Sequence, residues 1–177
     1  MTERKGIPPS AATDLLAFAD WVSETGEGER ARETADPESL YVTFSLDEDE
    51  YGVPVEGVRE ILRVEEIRSV PRAPAHIRGI MDVRGTVLPV VEIRSCLGLE
   101  PLVPTPAARI VVVEVGGRAL GFLVDRARGL VNVRASQREP HGERAGGRAT
   151  CLSGMVRSET GLLGLVDPEK IAKGVGS

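Results

Sequence analysis

The most constraining feature of this sequence is a strand grammar that occurs twice. Phe44-Ser45-Leu46 is echoed by Val113-Glu114-Val115 at an offset of 69, and Tyr51-Gly52 by Leu120-Gly121 at the same offset. Farther along, Gly79 is echoed by Gly154, and Val90-Val91-Glu92 by Leu165-Val166-Asp167, both at an offset of 75. The extra six residues fall in the polar, Gly-rich stretch 139–150, where added loop length costs little. Two similar pieces of about 65 residues, each with four or five short strands, predict two small barrels sharing a core.

The strand signals are local. Residues 40–46 alternate polar and apolar, the acidic run 47–50 makes a turn, and 51–55 returns as a second strand. Pro54 predicts that this second strand lies at an edge or a bulge. Residues 57–62 are expected to make one helical turn, followed by 64–70 and a Pro-marked break at 71–74. The next strands are 76–83 and 85–92. The second set opens at 110–115, turns at Gly116-Gly117, and returns over 119–124. Short strands follow at 130–133, 152–156 and 161–166. Asp167 as cap and Pro168 at the first position then predict a terminal helix over 168–173.

Ahead of these strands, residues 1–38 read as an acidic extension. Leu15, Phe18, Ala19 and Val22 recur at helical spacing, so 11–23 is either an amphipathic helix that docks or a fraying helix on a solvated tail. Residues 26–38 read as linker. The extension holds nine acids and four bases, which accounts for the whole formal charge of −5; the remaining residues carry 18 of each sign. Neither part offers the clustered basic surface that nucleic-acid binding needs.

Composition narrows the rest. At 41% hydrophobic but 3% aromatic, the core must be aliphatic, and 20 Gly with 12 Pro favour many short strands over a helical bundle. No apolar run approaches the ~18 residues that span a bilayer, so no membrane insertion is expected. Asp14 and Asp20 interrupt what would be the apolar part of a secretory leader. Cys96 and Cys151 show no CxxC spacing, and a reduced, cytoplasmic setting is predicted.

Catalytic and ligand-binding patterns are missing. There is no GxxxxGK[ST], no GxGxxG between strand and helix, no GxSxG and no HExxH. His76 reads as a surface or capping residue, His141 as solvated, and Cys96 as a small core residue. The expectation is a non-enzymatic chain without metal or cofactor. What stands out is Gly79 and Gly85 around a strand, each directly preceded by an arginine, Arg78 and Arg84. Gly79 fits a close backbone approach and Gly85 a positive-φ turn. Arg84 either pairs internally, with Asp82 or Glu60, or presents its fork of donors to a partner.

These residues carry a family pattern. Tyr51-Gly52-Val53-x-Val55, Val58-Arg59-Glu60-Ile61, Pro74-x-x-Ile77-x-Gly79 and Val83-Arg84-Gly85-x-Val87-x-Pro89-Val90-Val91-x-Ile93-Arg94 resemble the CheW coupling proteins of bacterial chemotaxis. Gly121-x-x-Val124-Asp125, Leu152-x-Gly154-Met155 and Leu162-Leu163-x-Leu165-Val166-Asp167-x-x-Lys170-Ile171 continue the match to residue 173. The resemblance implies an all-β fold of two five-stranded SH3-like barrels around a shared apolar core. The first barrel would span about 40–100, the second about 108–167, within a domain of 39–173, with a helix and tail over 168–177.

It also implies an adaptor with two partners, the cytoplasmic tip of chemoreceptors and the regulatory domain of a CheA-type histidine kinase. The receptor-facing positions of the family fall on Val58, Glu60, Gly79, Arg84, Ala127 and Leu130; Val58 and Leu130 either accept a receptor helix or pack in the core. Kinase contacts fall on the first-barrel loop 70–75, near Val70, Pro71 and Arg72. Three departures stand out: Asp82-Val83-Arg84-Gly85 replaces the common Asn-Leu-Arg-Gly, Ala127 is small, and the acidic extension is long. They leave room for a specialised paralogue of a non-flagellar system that binds only receptor or only kinase.

Overall fold

Alternating and continuous aliphatic runs give a computed structural model dominated by strands, which describes residues 36–101, 103–140 and 151–175. The helix expected at 11–23, Trp21 and His141 lie outside the described residues. The first half supplies β1 (Glu38–Leu46), β2 (Asp49–Pro54), β3 (Val58–Arg63), β4 (Ile67–Arg68), β5 (Ile77–Val83) and β6 (Thr86–Val91). A four-residue helix α1 (Ile93–Cys96) follows. The second half supplies β7 (Arg109–Val115), β8 (Arg118–Val124), β9 (Arg126–Arg134), β10 (Arg138–Glu139), β11 (Leu152–Ser158) and β12 (Gly161–Val166). Helix α2 (Pro168–Val175) ends the described chain, its start capped by the Asp167 carboxylate, which accepts the Glu169 N–H at 3.0 Å.

The strands form two six-stranded sheets, β10-β11-β12-β2-β1-β9 and β3-β7-β8-β6-β5-β4. Adding six to each strand number of one half converts either order into the other. The register obeys the same rule: Val90 pairs Gly121 across the parallel β6–β8 ladder, and Leu165 pairs Gly52 across the parallel β12–β2 ladder. Val58 opposes Val113 as Ala127 opposes Phe44. The strand irregularities repeat as well, at Ile77/Gly79 and at Leu152/Gly154. The duplication read from the sequence is therefore present in three dimensions. Each half lends its first hairpin to the sheet of the other, so each sheet has six strands where five per barrel were expected.

Burial follows this exchange. Met81, Leu88, Val90, Ile110, Val112 and Leu123 form one small core, and Tyr41, Val133, Val156, Leu163 and Leu165 its counterpart. A third and larger core takes side chains from both sheets, including Val42, Phe44, Val91, Val113, Phe122 and Val166. Full burial of Phe44 and Phe122 contributes about 1.5–3 kcal/mol each. Two barrel interiors joined by a shared core match the all-β fold that the repeat implied.

Four local expectations change. Strand β1 begins at Glu38 rather than residue 40, because the Glu38 carboxylate accepts bonds from Asn132 and Arg134 on β9. Strand β2 is an inner strand; Pro54 is tolerated because it sits at the end, beyond the Glu50–Gly52 segment that pairs with β12. The helical turn expected at 57–62 shrinks to a 3₁₀ turn over Val55–Gly57. Val58 and Ile61 continue as strand, pairing with β7. Strand β9 is longer than the predicted 130–133, since it pairs with β1 from Glu38 to Ser45.

Candidate partner-binding site

The residues singled out by the family resemblance gather mainly on the free edges of the sheets. Among the described residues β3 has only β7 beside it in the sheet order, and β9 has only β1. Val58 opens β3, Leu130 lies mid-way along β9, and both are half-buried against the large shared core. Both pack inward on that core while keeping part of the side chain exposed. Ala127 lies on β9 opposite Phe44, half-buried, beside the bulge that offsets the strand at Arg128.

Glu60 and Arg84 meet. The Arg84 Nη2 donates to Glu60 Oε1 at 2.6 Å, joining β3 to the β5–β6 turn although the two stand at opposite sides of the sheet order. The contact shows how far the sheet curls on itself. The carboxylate side chain is 16% exposed and the guanidinium side chain 74% exposed. The acid is thus set into the wall, and the arginine fork stands above it with donors to spare.

The turn beneath this pair is strained on one side and bonded on the other. Arg84 has φ +52° and Gly85 φ +82°, the two central positions of a tight hairpin in which Val83 opposes Thr86. An arginine in the left-handed region costs about 1 kcal/mol, which glycine would not incur. Asp82 does not pair with Arg84; its Oδ1 accepts the Gly85 N–H at 2.9 Å and holds the turn closed.

Gly79 has a different position from the other family residues. It is buried, with φ +152°, and a Cβ there would lie 2.2 Å from the Arg68 carbonyl oxygen. Its absent side chain lets β4 close over β5, so it shapes the barrel from within. The 70–75 loop joins these two strands. The Ala73 N–H donates to Val70 O at 3.2 Å, Arg72 takes φ +62°, and Val70 is left 40% exposed. Beside it opens a cleft of about 620 Å³ flanked by Ser69 and Ala75. The cleft is also lined by Glu92, a buried carboxylate that accepts from Arg78 Nη1 at 3.0 Å.

One structural centre went unnoticed in the sequence. Arg94, 6% exposed, bonds both Asp125 oxygens at 2.9 and 2.8 Å, Asp47 at 2.7 Å and the Glu100 carbonyl at 2.5 Å. The guanidinium ties the β1–β2 turn, the β8–β9 junction and the loop after α1 together. Burial works against its charge, and the bonds to Asp47 and Asp125 outweigh that and raise its pKa. In the sequence it stood as the last residue of a family pattern, an arginine directly after an apolar run, with nothing to mark its partners. Among the described residues no group of three or more His, Cys, Asp or Glu side chains could hold a metal ion.

Two barrels thus share a core, with β3 and β9 at the sheet edges and a turn-borne arginine held by Glu60. The pattern that defines the CheW-like domain matches residues 40–175, and the chain belongs to that family. The chemotaxis protein CheW of Treponema pallidum (strain Nichols) is 29% identical over 141 residues, covering 77% of this chain and 83% of that protein. Protein FrzA of Myxococcus xanthus is 33% identical over 96 residues, covering 54% and 60%. The crystal structure of the scaffolding protein CheW from Thermoanaerobacter tengcongensis superposes with a TM-score of 0.68 at 24% identity, covering 74% of this chain and 90% of that one. That superposition supports the fold.

Proposed function

We propose that this chain is a non-enzymatic chemotaxis adaptor that couples chemoreceptors to a CheA-type histidine kinase on the cytoplasmic side of the membrane. The observation that carries the reading is the Glu60–Arg84 pair. A wall-set carboxylate fixes an exposed guanidinium over β3, the strand that the half-buried Val58 opens, which suits a helix tip with an apolar face and a carboxylate or carbonyl in reach. In this reading Val58, Glu60, Arg84, Ala127 and Leu130 face the receptor tip, and Gly79 keeps β4 and β5 close enough to place the turn. The 70–75 loop, with Val70 outward, faces the regulatory domain of the kinase.

The test is retention of two purified partners, a receptor signalling-tip fragment and the kinase regulatory domain, on the immobilised full chain. Retention of both at tens of micromolar is expected. Retention of neither overturns the adaptor reading. A second reading, a paralogue serving a non-flagellar system and binding only one of the two, rests on Asp82 in place of the common Asn, the small Ala127 and the long acidic extension. Retention of one partner alone selects it.

A further inference from the structure

The two cysteines lie far apart in sequence and touch in the fold. Cys96 ends α1 and is half-buried, while Cys151 immediately precedes β11 and is buried. Both pack on the shared core. The Cys151 Sγ lies 3.5 Å from the Cys96 carbonyl oxygen, and the two thiols are hydrogen-bonded to each other. Both are free, and the adaptor reading uses neither.

We propose that Cys96 and Cys151 form a peroxide-responsive dithiol pair that closes to an intramolecular disulfide. The two sulfurs have different roles. The bond from Cys151 lowers the Cys96 pKa to about 7, with burial opposing and Ser95 assisting, so near neutral pH a large share of Cys96 is thiolate. The same bond and burial push the Cys151 thiol up, so it keeps its proton. Cys96 is the more exposed of the two and is the sulfur that meets the oxidant.

In the first step the Cys96 thiolate attacks the O–O bond of hydrogen peroxide, takes one oxygen as a sulfenic acid, and releases the other as hydroxide, which is protonated to water. Once Cys96 is a neutral sulfenic acid, the interaction that held the proton on Cys151 is gone. The Cys151 sulfur then attacks Cys96 Sγ and expels its oxygen; the Cys151 proton leaves with it as a second water. Two thiols lose two electrons in all, and one peroxide is reduced. A dithiol reductant reverses the change. The bond closes a loop that contains β7 to β10 and fastens the turn bearing Arg94 to the start of β11.

The experiment treats the reduced full chain with micromolar hydrogen peroxide, counts free thiols and maps linked peptides by mass spectrometry. The expected result is loss of both thiols, a chain two hydrogens lighter, and one peptide pair joining Cys96 to Cys151. The melting temperature should rise on the order of 10 °C, as closing so long a loop restricts the unfolded chain. Cys151→Ser should accumulate a sulfenic acid at Cys96 that a cyclic dione traps, and Cys96→Ser should give no adduct. Thiols that stay reduced, or that are lost only to dimers or to sulfinic acid, overturn the proposal. The thiol count on the native chain stands even if a serine variant fails to fold. Because the readout is sulfur chemistry in the isolated chain, it is independent of whether the adaptor reading holds.

Discussion

Arg84 separates a residue that binds from one that only holds the fold. Its ion pair with Glu60 is short, but the guanidinium side chain is 74% exposed. An exposed pair of this kind contributes about 0.5 kcal/mol to stability, which in a chain of this size is roughly 1–2 °C of melting temperature. Arg84→Ala keeps the strained left-handed backbone and should lose only that amount. Arg84→Gly removes the strain at φ +52°, a gain of about 1 kcal/mol, and should melt no lower than the parent. Binding should respond otherwise. A positioned arginine at the centre of an interface is commonly worth more than about 1.4 kcal/mol, so both variants should weaken receptor-tip affinity at least tenfold. Isothermal titration against the tip, run beside thermal melts, measures the two effects separately. Affinities within a factor of two of the parent would refute the binding role. A melting loss above roughly 6 °C in the glycine variant would refute the description of the turn.

Three further outcomes are expected. Val70→Glu should leave the melting temperature within about 2 °C, because the residue is already 40% exposed on a loop, yet remove retention of the kinase regulatory domain while receptor retention persists. If the kinase domain is retained, the 70–75 loop is not its contact. Arg94→Ala strips a buried cation from two carboxylates and a carbonyl and should cost about 3 kcal/mol, or roughly 6–12 °C; Arg94→Lys should recover little, as one ammonium cannot span three acceptors. A loss below about 1 kcal/mol in urea unfolding would contradict the staple. Burial raises the pKa of Tyr41 and Tyr51, so each phenol holds its proton more tightly folded than unfolded. Their contribution is fully present below the ordinary tyrosine value of about 10 and is lost as pH rises past it. Urea midpoints from pH 9 to 11 should fall, and phenolate absorbance should appear later in the folded protein than in denaturant.

The strands and the duplication were legible because both rest on side-chain alternation and on glycines that repeat at fixed spacing. The hairpin exchange was not legible. Pairing of β2 with β12 and of β8 with β6 is parallel and joins distant segments, and no local residue pattern encodes which distant strand a given edge will meet. Pro54 misled for the same reason, since its effect depends on how far the neighbouring strand extends. For Arg84 the sequence left open a partner or an internal carboxylate, Asp82 or Glu60, and only the curl of the sheet brings Glu60 to it. The Arg94 staple was invisible because Asp47, Asp125 and the Glu100 carbonyl converge from three separate turns.

Where the halves agree and where they part indicates which residues serve the fold and which serve the site. The positions that close the ladders are kept: Gly52 matches Gly121, and Gly79 matches Gly154. The Asp167 N–H bonds the Cys151 carbonyl just as the Glu92 N–H bonds the His76 carbonyl, each at 2.8 Å. At the free edges the correspondence breaks. The positions matching Glu60 and Arg84 are Gly129 and Glu159, so the second half has neither the wall-set acid nor the raised cation. Val58 matches the smaller Ala127 on the equivalent edge. The turn backbones part as well: Arg84 and Gly85 both take positive φ, whereas in the matching turn Glu159 and Thr160 do not and Gly161 does. Their divergence leaves the anchored arginine on one half only, and on the proposed reading one such face orients a single receptor tip rather than binding two equally.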